Sequence, residues 1–363
     1  MRSAHSHTFI PAIIPQAPSM RIKRRLPVLL GVLLVAAAVA AVVVLRKHAP
    51  PEPARLLPGA DGFFYLNFKW IRRANLVAKL PPVSHDPEYE QFIQATGFEF
   101  ERDLDQAALA IHYPSATAAA TKASVPAHFS EIFVGKLDGE RLRAYLRNLS
   151  HSVENYHSID IYTISLEGRT LRVAILGVDM VAASNQPDPQ VIHGIIDRSR
   201  KLASPFGGPA LLRQYYKEVP IASLGWAIFR LNPGGEPAPM QFGLSFLFSK
   251  PAVIVASARF LGKVHVRAEA FTADEADARQ VAEKVTTFLN LFHTAENTAS
   301  AQGPDPDVKA FFDGLKVEQH SDKVIVTSVV PPGFIRKAVA EPPEEPQSQV
   351  PAMPSSTSQA HKN

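Results

Sequence analysis

The 363-residue chain contains no cysteine. This excludes disulfides, thiolate nucleophiles and Cys-ligated zinc or iron–sulfur centres. Negative charge is missing from one stretch: residues 1–49 hold seven Lys plus Arg and neither Asp nor Glu. Without them the chain has 31 basic residues against 34 acidic ones, a net −3. The overall charge of +4 therefore belongs to the N-terminal region. The near-neutral remainder offers no strong field to a phosphate backbone, so nucleic acid is not an expected partner. Site motifs are absent too. No Gly-rich phosphate loop is followed by Lys, and no His pair brackets a Glu at zincin spacing. Gly243-Leu244-Ser245-Phe246-Leu247 lacks the second Gly of a nucleophile elbow. The expectation is a protein that is not an enzyme, without cofactor or metal.

The most conspicuous feature is residues 26–45, LPVLLGVLLVAAAVAAVVVL, with no charged or strongly polar side chain. A helix of this length spans roughly 30 Å at about 1.5 Å per residue, the thickness of a bilayer's hydrocarbon core. Arg21, Lys23, Arg24 and Arg25 precede it; Arg46, Lys47 and Arg55 follow. Basic residues near a span tend to stay cytoplasmic. The expected topology is single-pass in the cell membrane, with the N-terminus inside and the large C-terminal domain extracytoplasmic. The rival reading is a signal peptide cleaved near Ala38-Val39-Ala40. The apolar run continues to Leu45, which favours an anchor.

Residues 1–25 read as a disordered, basic cytoplasmic tail with Pro11, Pro15 and Pro18, and Met20 reads as the true start. Residues 46–59 form a Pro-rich spacer. The globular part divides into 60–202 and 210–337 at the linker 203–209, ASPFGGP, and residues 338–363 form a disordered tail.

Within the globular part, Asp-Pro opens helices at Asp86, Asp188 and Asp305. An Asp N-cap accepts backbone N–H bonds, and Pro suits the first helical position. Asp138 caps a fourth helix. Thr272 and Glu275 have capping-box spacing before a stripe from Ala278 and Val281 to Phe288 and Phe292. Strands are expected at 63–69, 107–113, 129–136, 159–166, 170–176, 179–184, 223–231, 241–249, 252–259, 263–271, 315–319 and 323–330. Lys263, His265, Arg267 and Glu269 mark a wet strand face. The fold class is α+β: an N-terminal transmembrane helix, then mostly antiparallel sheet packed on helices, in two similar halves. Segments 159–202 and 240–293 each give short strands followed by an amphipathic helix.

Two constellations merit a functional reading. Phe242, Leu244, Phe246 and Phe248 share one face of the expected strand 241–249, as core or as a groove for an apolar ligand. His151 and His157 bracket Glu154, which suits either an acid/base or metal cluster or an ordinary polar loop.

The layout of basic start, single span and spacer, followed by LLPGADGFFYLNFKWIR at 56–72, resembles membrane-anchored bacterial envelope proteins of the domain-of-unknown-function type. The resemblance implies an envelope location and carries over no functional residue. The expected role is non-catalytic binding or scaffolding, the partners being the membrane through 26–45 and an envelope protein or lipid. The alternatives are a carrier or chaperone for lipid or apolar peptide, and a hydrolase built around His151, Glu154 or His157.

Overall fold

The computed structural model describes residues 49–76, 85–113, 127–166, 168–200, 207–232, 244–299 and 305–339. Among these, twelve strands form one sheet. They are β1 (Gly62–Asn67), β2 (Leu104–His112), β3 (His128–Gly135), β4 (Ser152–Tyr156), β5 (Ile159–Leu166) and β6 (Arg169–Ile175), followed by β7 (Met180–Ser184), β8 (Ser223–Leu231), β9 (Ala252–Phe260), β10 (Val264–Phe271), β11 (Lys316–His320) and β12 (Lys323–Val330). The order across the sheet is β11-β12-β10-β9-β8-β1-β2-β3-β7-β6-β5-β4. Every neighbouring pair is antiparallel. The α+β expectation holds in this form, a large antiparallel sheet packed against helices.

β1 occupies the centre and shows why both faces must be covered. Phe63 and Tyr65 are buried on one face, while Phe64 and Leu66 point to the other. The first face packs on the helices Glu52–Leu56, Gln190–Arg200 and Ala210–Tyr215, with Leu56, Ile132, Ile195, Leu212 and Ile228 in one cluster. The second face is covered at its two ends. Helix Gly139–Leu149 places Leu142 and Leu146 on Tyr162 and Val173. Helix Glu275–Ala299 places Ala278 and Val281 on Phe229, Ile254 and Val324.

Helix ends follow local chemistry. Asp86, Asp138 and Asp305 each accept backbone N–H bonds at an N-cap, and the Asp188 carboxylate accepts from Gln190 N. Gly97 ends helix Pro87–Thr96 at φ 73°, in the left-handed region.

Several expectations are corrected. Within the expected spacer 46–59, Glu52–Leu56 forms a helical turn, and Ala54, Leu56 and the following Leu57 are buried in the main core. Of the strand expected at 241–249, residues 244–249 are described and form none: Leu244–Leu247 is a 3-10 turn. β4 stands where the residue pattern suggests only a polar connection; it is an edge strand and almost wholly exposed, so it carries no apolar alternation. Thr272 and Glu275 make no capping box. Asp274 accepts from Asp277 N instead, and the Thr272 hydroxyl donates to Asp322 O. Glu269 is buried within the expected wet face. On helix Glu275–Ala299 the buried stripe gives out at Phe288, which is 45% exposed.

The strands on either side of 203–209 belong to the same sheet, joined where β1 pairs with β8. The halves expected at 60–202 and 210–337 share one sheet, and a similar element order occurs in two stretches of the chain. Each begins with a short helix (Glu52–Leu56, Ala210–Tyr215), continues through three strands (β1–β3, β8–β10) and a longer helix, and later returns a strand beside the third (β7 on β3, β12 on β10). The last helices of the two stretches lie on different faces. Gln190–Arg200 packs on the first face, whereas Ile335 of Pro332–Val339 sits on the second.

Among the described residues, no helix is long and apolar enough to cross a membrane. The expected anchor at 26–45, the N-terminal tail and the tail beyond 339 lie outside the described residues.

A candidate apolar groove

The second face is left open between its two covering helices. Helix Glu275–Ala299 covers the row Phe229–Ile254–Ala270–Val324. Beside it run two further rows in strict register: Phe64–Ala227–Ala256–Ala268–Val326 and Leu66–Gly225–Ala258–Val266–Ser328. The central positions on β8 and β9 are Gly or Ala, so the floor is low. Gly225 sits directly under Leu66, and a Cβ there would lie 2.7 Å from the Leu66 side chain. The walls rise from Ile71 and Leu76 on one side, and from Phe311, Leu315 and Ile335 on the other. Together they enclose a groove of about 670 Å³. Small-molecule sites typically measure about 300–1,000 Å³.

The lining is almost entirely apolar. Two of its polar groups are bonded within the protein: the Ser328 hydroxyl donates to Phe311 O at 3.1 Å, and the Ser257 hydroxyl to Arg267 O at 3.5 Å. Leu66 remains 45% exposed, and most of the floor is only half-buried. The groove therefore presents wettable apolar surface with no free donor or acceptor of its own among these groups, which suits a hydrocarbon chain better than a polar solute.

One ionisable group occupies the same sheet face beyond β1. The row through Phe64 continues as Leu109–Glu131–Ala183–Val173–Tyr162, so Glu131 stands among apolar neighbours. Burial raises its carboxyl above the usual range. On the other face, burial pushes the Glu269 carboxyl up, but hydrogen bonds from Arg267 (2.8 Å) and Lys323 (2.9 Å) outweigh this and hold it low.

The residues singled out from sequence lie elsewhere. Phe242 is outside the described residues, and Leu244 opens the 3-10 turn. Phe246 is 58% exposed, with its ring 6.0 Å from Phe288, while Phe248 is buried beneath helix Glu275–Ala299. Neither lines the groove. His151, Glu154 and His157 do not converge. The Glu154 carboxylate meets His193 at 2.9 Å, His157 lies 3.7 Å from Asp197, and His151 is 3.5 Å from the Ser165 hydroxyl. Among the described residues, no three His, Asp or Glu side chains are placed to hold a metal ion.

Sequence reasoning missed the groove. Its signal was present as the small-residue alternation Gly225/Ala227 and Ala256/Ala258, opposite Val266/Ala268. Only the register between strands brings these onto one face.

No family model and no curated protein matches this chain. Among solved structures it is similar to crystal form III of TP0453, with TM-score 0.45, 10% identity and coverage of 79% of this chain and 97% of that one. Crystal form IV gives TM-score 0.42 over 80% and 96% of the two chains, again at 10% identity. These likenesses are distant, and the functional reading rests on the groove.

Proposed function

We propose that this chain is a non-catalytic envelope protein that binds a hydrocarbon chain, such as a lipid acyl chain, in the groove floored by Gly225, Ala256 and Ala258. One observation carries the reading: an open apolar groove of about 670 Å³ on a sheet face that would otherwise be covered. Residues 26–45 would hold the domain at the membrane, outside the cytoplasm, close to a supply of such chains. The Phe-rich segment ending at Phe248 has no part in it.

The test is photo-crosslinking in membranes. Cells expressing the full chain are fed a fatty acid bearing a photoactivatable group, and labelled peptides are mapped by mass spectrometry. The expected result is label on peptides containing Leu66, Ala258 or Phe311, reduced in Ala256→Leu. Label confined to residues 26–45, unchanged by that substitution, overturns the proposal.

A further inference from the structure

On the sheet face opposite the groove, β9, β10 and β11 bring Arg259, Arg267 and Lys316 together with His265. Arg259 is directly across from His265, and Lys316 is directly across from Thr327, which pairs in turn with Arg267. These residues surround a concavity of about 320 Å³. Arg259 and Arg267 stand diagonally on neighbouring strands, where like charges repel, so the arrangement is destabilising unless something offsets it. Arg267 is offset by Glu269, which Lys323 also holds. The other nearby carboxylate, Glu318, lies 3.3 Å from His320. Among the described residues, Arg259 and Lys316 have no carboxylate partner, and the Thr327 hydroxyl lies between their strands.

We infer that Arg259, His265 and Lys316, with Thr327, form a binding site for a phosphate-bearing anion. A tetrahedral oxyanion can accept from several converging donors at once, and charge-assisted bonds of this kind are short and strong. Alternation along β10 puts His265 on the opposite face from Val264 and Val266 of the groove, so the groups proposed to hold the anion are not those of the proposed hydrocarbon binding, although Val266, Arg267 and Ser328 border both concavities. The shared chemistry admits two sources, free phosphate or the head group of a phosphatidic acid.

The experiment uses the full chain in a neutral detergent, titrated calorimetrically with inorganic phosphate and, separately, with a soluble short-chain phosphatidic acid. The proposal expects saturable binding of at least one probe, weakened about tenfold or more in R259Q/K316Q. Arg259→Lys should retain most of the affinity, and Ala256→Leu should leave it unchanged. Equal affinities for the two probes would assign the site to free phosphate, and tighter phosphatidic acid to a head group. Absence of saturable binding to both probes overturns the site, as does full affinity in the double variant. If the double variant does not fold, Lys316→Gln alone, at an exposed edge-strand position, takes its place: weakened binding supports the site and full affinity overturns it.

Discussion

The sharpest consequence of the groove concerns its floor. Ala256 points from β9 into the open space between Ala227 and Ala268, with no helix above it. Replacing it with Leu adds three carbons where a ligand chain would lie. At about 0.8 kcal/mol per methylene removed from water, displacing three methylenes of ligand forfeits roughly 2.4 kcal/mol, or about fiftyfold in affinity. Stability should move the other way or not at all, since the added carbons cover apolar floor without crowding a packed core. Filling a closed core would instead cost about 1–3 kcal/mol. Displacement of a fluorescent fatty acid from the full chain, beside thermal melts, measures both quantities. A large drop in melting temperature would show that Ala256 is packed against something. Unchanged affinity with unchanged stability would show that hydrocarbon binds elsewhere. Either result refutes the reasoning.

Other outcomes follow from named residues. Burial raises the Glu131 carboxyl in the folded state above its ordinary range. The folded state then holds a proton that the unfolded chain has already lost, so stability falls as pH rises from the ordinary carboxylate range through the raised value. Glu131→Gln should remove that fall, matching the wild type near pH 4 and exceeding it at neutral pH; urea melts with the same pH slope in both would contradict this. Gly135→Ala should destabilise by about 2 kcal/mol or more, because a Cβ there would lie 2.5 Å from the Asp103 carbonyl oxygen, and relief requires the backbone to move. Its chemical-denaturation midpoint checks it. Phe246→Asp should leave the melting temperature within a few degrees of wild type and fatty-acid affinity unchanged, since Phe246 is 58% exposed and outside the groove. For topology, a reporter active only outside the cytoplasm, fused after Lys337, should be active and membrane-bound; activity in a released form would make residues 26–45 a cleaved signal.

Local chemistry set much of this architecture. The carboxylates of Asp86, Asp138, Asp188 and Asp305 start helices because free N–H groups at a helix start need an acceptor, and a capping side chain supplies one within a few residues. Hairpins such as β11–β12, turning through Ser321 at φ 50°, were legible for the same reason. So was the α+β class, from the alternation of strand and helix periods. The absences also lay in composition alone: no cysteine chemistry, and no basic field for nucleic acid over the globular part.

What the chain could not reveal locally is what lies across from what. The alternation at 241–249 suggested a strand, but its described part holds the 3-10 turn Leu244–Leu247, and β9, which follows, is already paired on both sides. The buried Glu269 reads as a surface residue until Arg267 and Lys323 are seen to hold it. The pairing of β1 with β8 makes one sheet of two halves, and the register through β8, β9, β10 and β12 aligns Gly225, Ala227, Ala256 and Ala258 into a floor. Registers are fixed by long-range burial of whole faces, where a slip of one residue would turn every side chain over. Residue types were therefore written in the sequence, while the groove and the cationic cluster came into being only when distant strands were set side by side.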